Sequence, residues 1–277
     1  MHLENYLARI GYTASPMPMP THATLASLMA HHIDAIPFEN IDVLLDRGID
    51  ISAEAVENKL VAQKRGGYCF EHNGLFRRVL EAIGFQVESL AARVLWRAGE
   101  NDPPRPRTHS ALRVQLDDQA WLVDVGFGGW VPSAPLLLAQ NAPQANRERQ
   151  EVFRILPAAG PESGAAMVET QLDGVWRPLY ALSPEPLLAV DYLPLNWFTS
   201  THPASLFRQD LMAARTTSES RIMLMNNRLT IRGHDGASER RDLDAGQLET
   251  VLAETFGLPV EASWRPLLQR LCYAPAK

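Results

Sequence analysis

The stretch "HSALRVQLDDQAWLVDVGF", His109 to Phe127, decides how the middle of this chain folds. Apolar and polar residues alternate on both sides of Asp117-Asp118, the period of a strand. A two-residue loop at Asp117-Asp118 makes the two halves an antiparallel hairpin. Leu116 then pairs with Gln119, Ala111 with Asp124 and His109 with Gly126. Paired residues share a face, so His109 and Asp124 become diagonal neighbours, about 7–8 Å apart at Cα. Leu112, Val114, Trp121 and Val123 take the other face. A three-residue loop would put His109 and Asp124 on opposite faces, so the turn length carries the inference.

Asp124 interrupts an otherwise apolar strand, and a buried carboxylate without a partner is costly. Arg113 would make it a structural ion pair; His109 would make it the orienting group of an imidazole base. The glycines that follow, Gly126, Gly128 and Gly129 in "VDVGFGG", allow close approach to a ligand or simply end a strand. They lack the Lys-Ser/Thr ending of a phosphate-binding loop and the spacing of a dinucleotide fingerprint.

Upstream lies "KRGGYCFEHNGLFRRVLEAIGF", Lys64 to Phe85. Phe76, Val79, Leu80 and Ile83 recur at helical spacing, and Gly84 stands where a C′ glycine belongs. Cys69 therefore falls at or just before the first turn of a helix. Free cysteine is often a packing residue. Here the helix N-terminus favours a thiolate, and the neighbours Arg65, Glu71, His72 and Asn73 are polar for a core element. A catalytic thiol needs a base. His72 is three residues on along the same helix and reads as a capping or packing residue. His109, with Asp124 beside it, is the better placed base.

The rest of the chain supplies the frame. Thr21 and Ser52 are N-cap candidates for "THATLASLMAHHI" and "SAEAVENKLVAQ", and "PMPMP" breaks the chain before the first of these. "QVESLAARVLW" reads as a strand, and residues 131–150 read as loop. Asp173-Gly174 and Asn226-Asn227 mark two more hairpins. "DAGQLETVLAETFG" reads as a helix from Asp244 to Gly257, although Leu248, Val251, Leu252 and Phe256 do not fill one stripe. Helices followed by antiparallel strands and a smaller mixed part make an α+β plan. It divides into residues 1–84, helical and carrying Cys69; 85–195, the strands with His109 and Asp124; and 196–277, the smaller α/β part.

The chain has 277 residues, 46% of them hydrophobic, with a net charge of −6. That balance does not point to nucleic acid or an anionic membrane as partner. Two cysteines, Cys69 and Cys272, make neither a disulfide framework nor a metal site, so no metal is expected. With no basic-then-apolar leader and no long apolar run, a cytoplasmic protein is the expectation.

Taken together, "IPFEN" (Ile36 to Asn40), "RGGYCFEHN" (Arg65 to Asn73), "THSALRV" (Thr108 to Val114), "LVDVGFGG" (Leu122 to Gly129) and "STHPASLF" (Ser200 to Phe207) resemble the arylamine N-acetyltransferase family. The resemblance implies an N-terminal helical bundle, a central antiparallel β-barrel and a C-terminal α/β lid around a cysteine-protease-like core. It implies acetyl transfer from acetyl-CoA to arylamines and arylhydrazines, and to N-hydroxyarylamines at oxygen, by a ping-pong route through acetyl-cysteine. Cys69, His109 and Asp124 match the triad positions. Phe38, Val94 and Phe127 match positions around the acceptor; Thr108, Gly128 and Gly129 match the region approached by coenzyme A. Phe198 and Phe207 remain alternatives for an aromatic wall there. Arg65 and Glu39 match a supporting ion pair, and Cys272 matches no motif. Arylamines or arylhydrazines and coenzyme A are the partners implied, with a homodimer left open. A thiol hydrolase of the transglutaminase-like kind and a non-enzymatic binding module are the competing readings. Release of CoA without amine would mark the first, and a thiol unreactive toward iodoacetamide the second.

Overall fold

The computed structural model describes residues 2–13, 18–99, 102–159 and 162–273. Pro16 and Met17 of the expected proline-rich break lie outside them. Helices α1 (Leu3–Arg9) and α2 (His22–Ala35) precede a short strand, β1 (Phe38–Glu39). Three helices follow: α3 (Ile41–Leu44), α4 (Ala53–Glu57) and α5 (Cys69–Ile83). Thr21 and Ser52 cap as their residue type predicts, their hydroxyls accepting from the Thr24 and Ala55 N–H groups. α4 runs on into a π turn over Asn58–Ala62, which brings Leu60 and Val61 inward beside Val56.

Eight antiparallel strands form the middle of the molecule: β2 (Gln86–Val94), β3 (Arg107–Leu116), β4 (Gln119–Val123), β5 (Leu136–Leu137), β6 (Gln144–Asn146), β7 (Glu151–Pro157), β8 (Ala166–Leu172) and β9 (Val175–Pro186). Their order is β5-β4-β3-β2-β9-β8-β7-β6. The two edges nearly meet. The Gln144 amide of β6 accepts from the Leu137 N–H and donates to the Leu137 carbonyl of β5, so one side chain bridges the seam.

The Asp117-Asp118 turn is two residues long. Both carry positive φ, 50° and 57°, the backbone a tight hairpin requires, and Leu116 pairs with Gln119. The ladder ends at Leu112–Val123, so His109 and Asp124 lie just beyond it rather than in regular pairs. Leu112, Val114 and Val123 pack into the helical core with Leu25, Phe76 and Leu80. Ala111 and Leu122 face the barrel interior with Phe153, Val168 and Tyr180. The hairpin is thus the plate between two cores. Full burial of each such Leu or Val contributes about 1.5–3 kcal/mol, which makes slippage by one residue costly.

The last third holds α6 (Tyr192–Thr201), β10 (Met212–Thr216), β11 (Ser220–Met225), β12 (Arg228–Gly233), β13 (Ser238–Asp242), α7 (Ala245–Thr250) and α8 (Arg265–Tyr273). The Asp173-Gly174 and Asn226-Asn227 hairpins form with Leu172–Val175 and Met225–Arg228 as the closing pairs. Strand β1 crosses from the N-terminal part to edge this sheet, pairing Phe38 with Ala214 and Glu39 with Ala213. Asn40 fastens the crossing, donating to the Phe207 and Asp210 carbonyls and accepting from the Met212 N–H. α7 continues as a π turn, the Phe256 N–H donating to the Val251 carbonyl. The wider turn explains how four residues off one stripe are all buried. Cys272 packs at the margin of that core.

Two short strands, β5 and β6, lie where the composition of residues 131–150 reads as loop. Each pairs over only two or three residues, too few for a period to show.

Candidate active site

Cys69 is the first residue of α5 and is almost fully buried. Its helix start is set by Glu71, whose carboxylate accepts from the Tyr68 N–H at 2.9 Å and from Lys59 Nζ at 2.8 Å. The glycines before it leave room for these groups. A Cβ on Gly67 would lie 2.6 Å from the Glu71 carboxylate, and one on Gly66 would run into the Pro37 carbonyl oxygen. The Cys69 thiol points along the hairpin, 3.5 Å from the Thr108 carbonyl oxygen.

His109 and Asp124 meet as the turn length predicts. His109 Nε2 lies 2.7 Å from Asp124 Oδ2, both residues buried. The other side of the imidazole addresses the Cys69 thiol, which leaves Nδ1 as the nitrogen for that contact. Burial alone would lower the imidazole's proton affinity. The Asp124 charge and hydrogen bond, then the contact with Cys69, outweigh it and push His109 up to about 10. Asp124 is held below the usual carboxylate range despite its burial, by the His109 charge and by donors on both oxygens. The Arg113 alternative fails: that guanidinium pairs with Glu88 at 2.5 Å.

Asn73, one turn after Cys69, completes the site. Its amide donates to Asp124 Oδ1 at 3.0 Å and to the Ser110 carbonyl at 2.6 Å, and its oxygen accepts from the Val125 N–H. The Gly126 N–H donates to Asp124 Oδ1 at 2.8 Å. A Cβ on Gly126 would lie 2.8 Å from Cys69 Cα, so this glycine lets α5 and the hairpin close on each other. One face of the imidazole meets Phe127 edge-on at 5.0 Å; Tyr180 of β9 packs at 4.9 Å. The Tyr180 hydroxyl lies beside Asp124 without hydrogen-bond geometry to it. Burial and then that carboxylate push the phenol well above its ordinary range.

The remaining expected residues surround this centre. Phe38 and Phe207 pack together at 6.0 Å at the margin of the cluster that holds Cys69, whereas Phe198 stacks on His202 instead. Val94 pairs with Tyr180 across the sheet. Gly128 has φ +77°, and a Cβ there would meet the Phe38 ring at 3.6 Å. Gly129 is pressed against Met223, 2.6 Å from a Cβ position. Arg221 of β11 holds this turn from the C-terminal side, donating to the Gly129 and Val131 carbonyls at 2.8 and 2.9 Å and pairing with Glu151. The expected Arg65–Glu39 pair forms at 2.7 Å. It continues through Asp42 and Lys59 to Glu71, tying "PFEN" to the cap of α5.

His72 is a packing residue, as its position on α5 suggests, but not an idle one. It bonds to His32, and burial holds both rings neutral. His72 is pushed down to about 4, the nearby Pro37 and Gly67 carbonyls offsetting burial only in part, and His32 goes well below its ordinary value. In the unfolded chain both rings charge near the ordinary value of 6.5. The unfolded state therefore binds more protons below that pH. Stability from the neutral rings is complete above 6.5 and declines as pH falls toward 4, by up to about 1.4 kcal/mol per pH unit for each ring. Urea midpoints should drop as pH is lowered from neutral, and His72→Gln should flatten the slope. A level wild-type midpoint would contradict neutral rings.

A buried thiol at a helix N-terminus, beside an imidazole oriented by a carboxylate, on an α+β frame, defines a thiol-dependent acyl-transfer enzyme. A family model described as "N-acetyltransferase" matches residues 21–265. The arylamine N-acetyltransferase of Mycolicibacterium smegmatis is 39% identical over 262 residues, 93% of this chain and 92% of that protein. The arylamine N-acetyltransferase / N-hydroxyarylamine O-acetyltransferase of Salmonella typhimurium is 35% identical over 93% of this chain and 89% of its own. The structure of the Mycobacterium marinum enzyme in complex with CoA superposes with a TM-score of 0.90 at 37% identity, covering 98% of this chain and all of that one. The chain belongs to the arylamine N-acetyltransferase family. Among the described residues no helix is long and apolar enough to cross a membrane.

Proposed function

We propose that this protein transfers the acetyl group of acetyl-CoA to arylamines and arylhydrazines, and to the oxygen of N-hydroxyarylamines, with Cys69 as the acetyl carrier. The observation that carries the reading is the buried His109–Asp124 pair at 2.7 Å, its imidazole within the influence of the Cys69 thiol at the start of α5. His109 accepts the Cys69 proton, and the sulfur adds to the thioester carbonyl. The oxyanion is met by an N–H group at the very start of α5, ahead of those of Glu71 and His72, which already donate to the Tyr68 carbonyl. The carbon–sulfur bond to CoA breaks, CoA leaves as the thiol with a proton from His109, and acetyl-Cys69 remains. The amine then adds to this thioester, gives its proton to His109, and expels the Cys69 sulfur. Asp124 keeps the ring oriented and balances its positive charge.

Phe38, Phe127 and Val94 are the proposed acceptor wall, an apolar enclosure suited to a planar amine. Thr108, Gly128 and Gly129 are the proposed approach of coenzyme A. The division at residues 84 and 195 is proposed with them, and the free thiol this chemistry needs fits a cytoplasmic protein. CoA release measured against a panel of arylamines and arylhydrazines tests the reading. Release should rise severalfold on adding amine. Equal release with and without amine would make the protein a thioesterase instead.

A further inference from the structure

We infer that Tyr6, His32 and His72 form a one-way chain of hydrogen bonds that fixes Pro37-Phe38, and are thereby positioning residues for the arylamine half-reaction. The inference rests on the proposed place of Phe38 in the acceptor wall. Tyr6 on α1, His32 on α2 and His72 on α5 are all fully buried. Tyr6 Oη lies 2.8 Å from His32 Nδ1, His32 Nε2 lies 2.8 Å from His72 Nδ1, and His72 Nε2 lies 3.2 Å from the Pro37 carbonyl oxygen.

The last partner sets the direction of the rest. A carbonyl only accepts, so His72 Nε2 carries hydrogen. A neutral ring has one N–H, so His72 Nδ1 accepts and His32 Nε2 donates. His32 Nδ1 then accepts, and the Tyr6 hydroxyl donates to it. Each member has one permitted role, and the Pro37 carbonyl sets the tautomers as far as the first helix, where the Tyr6 hydroxyl closes the chain as its terminal donor.

Pro37 is where this matters. Its carbonyl also receives the Gly67 N–H at 3.4 Å, which draws the loop before Cys69 to the same atom. The next residue, Phe38, lies nearly parallel to the His72 ring, packs on Phe207, and faces Gly128. Were the chain reversed, a bare nitrogen of His72 would oppose the Pro37 oxygen. Two acceptors would then repel, and Phe38 would move relative to Phe207 and Gly128. None of the three relay side chains takes part in the proposed proton transfers, so the first half-reaction does not depend on them.

Imidazole ¹⁵N–¹H correlation spectra of the wild-type protein should show His32 and His72 both protonated at Nε2 and bare at Nδ1. Tyr6→Phe removes the terminal donor, leaves His32 Nδ1 buried without a partner and should loosen the chain that holds Pro37. With aniline as acceptor, it should lower kcat/KM for the amine by about fivefold while kcat/KM for acetyl-CoA changes by less than about twofold. The opposite tautomer in the wild type overturns the inference. So does an unchanged amine kcat/KM in Tyr6→Phe, or an equal fall in both half-reactions. Phe38→Ala separates the two claims: an unaltered amine kcat/KM there defeats the acceptor wall, whatever the tautomers are.

Discussion

Cys69→Ala should lower acetyl transfer by at least about 10⁴-fold while leaving the fold in place, because it removes the sulfur proposed to carry the acetyl. The substitution removes one sulfur atom from the first position of α5, a site where alanine is well tolerated in a helix. The helix start is held elsewhere, by the Glu71 carboxylate on the Tyr68 N–H. Circular dichroism and urea midpoints should therefore stay near wild type. Intact-mass measurement after exposure to acetyl-CoA should show one added acetyl on the wild-type protein and none on the variant. Turnover retained by Cys69→Ala would refute the carrier role. An active wild type without the acetyl adduct under rapid quench would argue for direct transfer in a ternary complex.

Asp124→Asn should cost about 10³–10⁴ in kcat, the size of effect seen when a triad carboxylate becomes an amide. The reason is visible in the donors around it. His109 Nε2 meets one oxygen; the Asn73 amide and the Gly126 N–H meet the other. An asparagine must turn its NH₂ toward one of these sets, and either way donor faces donor. If it faces His109, the ring loses its N–H acceptor and its preferred tautomer. If it faces Asn73, the hairpin end and α5 lose their common anchor. The imidazole would also fall from its raised value, since the Asp124 charge is the main influence opposing burial. Breaking this buried pair should destabilise the fold by about 3–5 kcal/mol, which thermal or urea unfolding would report. Wild-type rates in the variant would make Asp124 purely structural.

The hairpin that joins His109 to Asp124 was readable because two independent signals coincide, the alternation of Leu112 and Val114 and a turn of two residues that tolerate positive φ. α5 was readable through its apolar stripe and Gly84. Asn73 could have been found as well: it shares a helical face with Phe76 and Leu80, where a buried amide needs partners. Tyr180, Arg221 and His32 could not. Their meaning lies in residues far along the chain, and nothing local to each marks it. Strands β5 and β6 were hidden for a different reason, their brevity. The π turns at Asn58–Ala62 and Val251–Thr255 left a trace in the second case, as a stripe that drifts.

The crossing of β1 to β10 has a consequence for biosynthesis. Residues 38 and 39 leave the ribosome well before their strand partners, Ala213 and Ala214. The thiol-bearing helix is thus made on the order of ten seconds or more before Phe38 acquires its sheet edge. A nascent chain halted after the barrel would hold Cys69, His109 and Asp124 with one wall unsupported. The later-made sheet therefore acts as a checkpoint, supporting the proposed acceptor wall only once β10 has been synthesised.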